Sequence, residues 1–92
     1  MLTAKDIHIG DLIKRTSNYR NDRFNNCYML VKSITARHYD TVWVDALIIN
    51  EDINIEYQFY DYMMWFSDKS IDKYHKVYNV FELEGQNGHK TV

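Results

Sequence analysis

The sequence predicts an all-β domain with one short helical turn. Three observations carry the prediction: five short segments of strand character, a long polar stretch after the first of them, and a helix-start signal ahead of the last. Each element can be justified in turn. Thr3-Ala4-Lys5-Asp6 suits one capped helical turn, with Thr3 at the cap and Asp6 near the N-terminus of the turn. Gly10-Asp11 signals a turn, and Leu12-Ile13-Lys14-Arg15-Thr16 reads as the first strand. Residues 17–27 are polar and Asn-rich, the pattern of a long loop or hairpin arm. A second strand is expected over Tyr28–Arg37, where Met29, Val31, Ile34 and Thr35 are apolar or β-branched.

His38-Tyr39-Asp40 predicts a tight turn into a third strand over Thr41–Asn50. Val42, Val44, Ala46 and Ile48 fall on one face of it, and Trp43, Asp45, Leu47 and Ile49 on the other. Both faces are partly apolar, which argues for a central strand. After Glu51-Asp52, the segment Ile53–Phe59 alternates apolar and polar residues strictly, the signature of a half-buried strand. Residues 60–66 are rich in aromatics and Met, and either extend that strand or bend over the core. Ser67 is placed to cap a short helix, with Ile71, Tyr74 and Tyr78 at helical spacing, and Lys76–Glu84 reads as the final strand. Residues 1–84 then make the single domain, and 85–92 a frayed tail.

Ninety-two residues leave room for one domain. The chain has no proline, three glycines and many aromatics (8 Tyr, 4 Phe, 2 Trp). That excludes collagen-like, low-complexity and largely disordered classes. A single cysteine, Cys27, excludes a disulfide scaffold. A membrane-spanning helix needs about 20 apolar residues, and no run approaches that. The N-terminus lacks the apolar core of a secretory signal, so cytoplasm is the expected compartment.

The net charge of −2 is not that of a DNA-coating protein, but it hides an asymmetry. Lys14, Arg15, Arg20 and Arg23 stand against Asp22 alone in residues 14–24, whereas Glu51, Asp52, Glu56 and Asp61 have no base among residues 50–61.

The hexapeptide Ile9-Gly10-Asp11-Leu12-Ile13-Lys14 and the helical turn at 67–75 together resemble the SH3-like barrel. The resemblance covers residues 7–84 and implies a small five-stranded barrel. In length and in its Asn, Asp, Ile, Tyr and Lys content, the chain is also similar to small accessory proteins of bacteriophages. The glycine pattern of nucleic-acid-binding KOW segments is missing, because no glycine lies between Gly10 and Gly85.

No motif names a reaction. His8, His38, His75, His89 and Cys27 have none of the usual metal-ligand spacings, so no metal and no cofactor are expected. Cys27 has no sequence-placed base to make it a nucleophile, and no catalytic residue is assigned. An exposed part of the cluster 57–66, which holds six aromatics, would be a protein-binding surface.

The candidate binding residues are Glu56, Tyr57, Tyr60, Asp61, Tyr62 and Trp65, with Tyr60, Tyr62 and Trp65 expected outside the core and the carboxylates as an acidic rim. This predicts a binding protein of phage type that docks on a host protein, in transcription or defence machinery, and inhibits or redirects it. The alternative is a nucleic-acid-binding barrel in which Lys14, Arg15, Arg20 and Arg23 meet phosphates while Tyr19 and Phe24 stack on bases. A third reading is a sequestering binder of a nucleotide-like small molecule. The opposed charges of 14–24 and 50–61 also fit a homodimer in which each basic arm meets the other subunit's acidic strip.

Overall fold

The computed structural model describes residues 2–16, 27–50 and 58–82, the side chains of 50 and 58–60 excepted. It contains the strands β1 (Asp11–Arg15), β2 (Cys27–Arg37), β3 (Thr41–Asn50), β4 (Gln58–Ser67) and β5 (Tyr74–Asn79). They form one five-stranded sheet in the order β4-β3-β2-β1-β5, with every neighbouring pair antiparallel. The fold is therefore all-β, the class that the spacing of apolar residues predicts.

Alternation along β3 builds the core. Val42, Val44, Ala46 and Ile48 are buried, together with Met29 and Val31 of β2, Ile13 of β1 and Met64 and Phe66 of β4. Apart from Ala46, each of these side chains contributes about 1.5–3 kcal/mol by leaving water. Phe66 meets the half-buried Tyr74 edge-on, with centroids 4.9 Å apart at 83°. The sheet curls, since this contact joins β4 and β5, the two strands at its edges. The ends of β1 and β3 and the starts of β2 and β4 lie at the same end of the sheet, because Lys14 pairs with Tyr28, Cys27 with Asn50 and Asn50 with Gln58.

The other end is closed by the 3-10 turn Ala4–Asp6, which brings in buried Ala4 and is followed by buried Ile7. Arg37 donates to the carbonyls of Ile7 (2.5 Å) and Ala4 (3.4 Å), and the Asp68 carboxylate accepts the Ala4 N–H at 2.7 Å. Asp6 accepts the backbone N–H of Thr3 at 2.8 Å and its hydroxyl at 3.0 Å. These two bonds, the first the larger influence, hold the Asp6 carboxyl below its ordinary value of 3.8.

Several predicted boundaries move. Ser67 ends β4 instead of capping a helix: its hydroxyl accepts the Lys69 N–H, and the turn that follows is a 3-10 segment, Ile71–Lys73, preceded by Ser70. The final strand begins at Tyr74 and ends at Asn79, not at Glu84. Asn79 stops it, because its side-chain oxygen accepts the N–H groups of Phe81 (2.9 Å) and Glu82 (3.1 Å) and starts a helical turn at 80–82. Cys27 belongs to β2 and not to the preceding loop, and residues 60–66 do extend the fourth strand. The loop at 17–26, the alternating segment 53–57 and the tail 85–92 lie outside the described residues.

Candidate functional site

The outward face of the sheet carries the candidate surface. Regular pairing of β3 with β4 sets Trp43 beside Trp65 and Asp45 beside Met63, all on the face opposite the core. The two indole rings lie 6.0 Å apart, tilted by 40°. Trp43 is 36% exposed, Trp65 49% and Met63 59%, values high for residues that a soluble surface usually hides. On the same face Leu30 pairs with both Leu12 and Leu47, continuing the apolar character across β1, β2 and β3.

Carboxylates border this ledge, yet they are engaged. Asp61 lies 2.7 Å from the Lys32 ammonium, and Asp45 accepts the Ser33 hydroxyl at 3.1 Å. The expected acidic rim is thus partly compensated within the chain. The Lys32–Asp61 pair is exposed, so its strength is small and a partner can replace it at little cost.

A second feature runs along the outer side of β4. A groove of about 560 Å³ separates this strand edge from the turn before β5. Tyr62, Met64 and Trp65 lie on one side, with Arg15, Lys73 and Tyr74 on the other. The Arg15 guanidinium donates to the Tyr74 hydroxyl and sits 5.0 Å from the centre of its ring.

Of the candidate binding residues, Asp61, Tyr62 and Trp65 are exposed. Glu56 and Tyr57, and the side chain of Tyr60, lie outside the description. Among the nucleic-acid candidates only Lys14 and Arg15 are described, and they do not form one patch. As neighbours on a strand they point to opposite faces: the Lys14 ammonium lies 5.0 Å over the Tyr28 ring, while Arg15 engages Tyr74. Tyr19, Arg20, Arg23 and Phe24 lie outside the described residues.

Trp43 and Lys73 are the residues the sequence reading missed. Trp43 was legible as an outward residue of β3, but its pairing with Trp65 depends on register. Lys73 reaches the groove only because the 3-10 turn folds it there.

Cys27 is fully buried, as a small apolar residue would be. Among the described residues no three His, Cys, Asp or Glu side chains come together in a metal-binding group. No helix of the described residues is long and apolar enough to cross a membrane. No family model, no curated protein and no solved structure matches the chain.

Proposed function

We propose that this chain is a binding protein that acts without chemistry, docking on another protein through the Trp43–Met63–Trp65 ledge of β3 and β4. The observation that carries the reading is the pair of adjacent, part-exposed indoles on the face turned away from a filled core. Trp and Met are enriched where proteins meet, and a few central aromatic anchors commonly supply most of the binding energy. The mechanism is occlusion: the ledge covers a surface its partner needs, while Asp45 and Asp61 at the border help select the partner. The compositional likeness to phage accessory proteins would make that partner a host protein in transcription or defence machinery.

The test is capture from a bacterial lysate by tagged wild type and by Trp65→Ala, with and without nuclease. Loss of a nuclease-resistant partner on substitution, at unchanged folded fraction, supports the reading. A partner that disappears with nuclease, or one that Trp65→Ala retains in full, contradicts it.

A further inference from the structure

We infer that the partner of the ledge anchors on it with an arginine side chain, which crosses Met63 and Trp65 and seats its guanidinium in the hollow at Asp45. The inference rests on the reading that the ledge docks a protein, and it names the chemistry of the anchor.

The first ground is where the carboxylate stands. Trp43 and Asp45 lie two residues apart on β3 and point to the same face. Asp45 pairs with Met63, so Trp65 and Asp61 are its diagonal neighbours, with Cα atoms roughly 7–8 Å away. A hollow of about 440 Å³ opens beside the ledge, and its walls include Lys32, Asp45, Asp61 and Met63. Met63 is common to the ledge and the hollow. A surface that covers the indoles and Met63 therefore also covers Asp45, which is already half-buried.

The second ground is the cost of covering it. A carboxylate has about four acceptor sites, and the Ser33 hydroxyl, at 3.1 Å, fills one of them. That donor is neutral and leaves the negative charge in place. Lys32 stands 2.7 Å from Asp61, so two carboxylates share this hollow with one ammonium. An apolar partner would strip water from Asp45 and leave its charge unanswered, which offsets the gain from the buried rings. A cation on the partner removes that penalty.

The third ground is the fit of the guanidinium. Its apolar stem can lie along Met63, and its planar head stacks on an indole face while its N–H fork meets a carboxylate. The exposed Lys32–Asp61 pair is weak, so the incoming group can displace Lys32 and meet both carboxylates. A nucleic acid would bring phosphates against those same carboxylates.

The experiment titrates the isotope-labelled full chain with two peptides and follows the indole N–H signals by NMR. Trp43 and Trp65 are the only tryptophans, so those signals report on the ledge alone. One peptide is acetyl-Ala-Leu-Arg-Leu-Ala-amide; the other carries citrulline, the neutral isostere, in place of arginine. The arginine peptide should shift both indole signals and bind roughly tenfold tighter than the citrulline peptide. Asp45→Asn, which keeps an oxygen for Ser33, should reduce that preference to about twofold. Lys32→Ala should strengthen the arginine peptide by roughly threefold, because it removes the competing ammonium. If Asp45→Asn does not fold, Lys32→Ala and the arginine-to-citrulline ratio decide.

Equal affinity for the two peptides, binding of neither, or a preference that Asp45→Asn retains overturns the inference. So does binding of the arginine peptide that leaves the indole signals unmoved. Equal binding of both peptides that Trp65→Ala abolishes removes the arginine but leaves the ledge reading standing. Indole shifts caused by an oligonucleotide and by neither peptide overturn both.

Discussion

Replacing Asp11 should remove more stability than any other polar substitution among the described residues. Its side chain is 1% exposed. One carboxylate oxygen accepts the His8 N–H at 2.7 Å and the Lys76 ammonium at 3.0 Å, and the other accepts from the Asn79 amide at 2.8 Å. That amide also donates to the Ile9 carbonyl at 3.0 Å. The carboxylate therefore holds the turn before β1 and the end of β5 together.

Removing one partner of a buried ion pair costs about 3–5 kcal/mol. Lys76 is 32% exposed and can turn to water once its partner is gone, which places Asp11→Ala near the lower bound, about 3 kcal/mol. For a chain of this size that lowers Tm by about 12–24 °C. Asp11→Asn should recover little of the loss, because either orientation of the amide turns its NH2 group against another donor. Urea unfolding followed by far-UV circular dichroism is the suitable assay, since both described tryptophans are already part-exposed in the native state. A double-mutant cycle with Lys76→Met should give a coupling of about 1–2 kcal/mol. If Asp11→Ala stays within about 1 kcal/mol of wild type, the carboxylate is not the tie described here.

Gly10→Ala should cost about 1–2 kcal/mol by the same unfolding assay, because Gly10 has φ +90° and an added Cβ would meet the Phe81 ring at 2.5 Å. Adding Phe81→Ala should relieve the contact but not the backbone strain, so only part of the loss returns. Phe66→Ala should cost about 3–5 kcal/mol, since it empties the aromatic centre of the core. Trp65→Ala should change stability by only about 1 kcal/mol, mostly its ring contact with Trp43, while lowering affinity for a ledge partner by about 2 kcal/mol or more. The Asp6 carboxyl should titrate below 3.8 by NMR, and Thr3→Ala should move it upward in part, because the hydroxyl is lost and the backbone N–H remains. Its folded value lies below its unfolded one. The stability linked to it is therefore complete above the unfolded value and vanishes as pH falls through the folded value.

The strands were legible where the alternation is strong. The Val42, Val44, Ala46 and Ile48 row gave β3 its correct bounds, because a pattern of period two with β-branched residues leaves little else possible. The helical turn at 71–73 was legible in kind but not in extent. Ser67 has the chemistry of a cap, and only the pairing of Thr41 with Ser67 reveals that the residue is still part of the sheet. Likewise Asn79 in the sequence reads as one polar residue within a strand, whereas its side chain ends that strand by imitating a turn. The exposed state of Trp65 followed from its position past the alternation. Its partner Trp43 and the groove cation Lys73 depended on register and on chain reversal, which local pattern does not encode.

The aromatic surplus has a physical consequence for how this protein can act. Phe66 is the only aromatic side chain in the fully buried core of the described residues; aliphatic groups, methionines and Cys27 fill the rest. Tyr74 seals one flank, and Trp43, Tyr62, Trp65, Tyr78 and Phe81 are all at least 36% exposed. The buried core is therefore filled without those rings, and of the five only Tyr62 and Trp65 lie on β4, where charged residues would guard the edge against self-association. What they return to the fold is local: Trp43 meets Trp65, and the Phe81 ring packs over Gly10. The paired indoles of Trp43 and Trp65 are the part of this surplus that the proposed docking function would use. In that reading the rings supply the affinity, and the carboxylates of Asp45 and Asp61 beside them set the choice of partner.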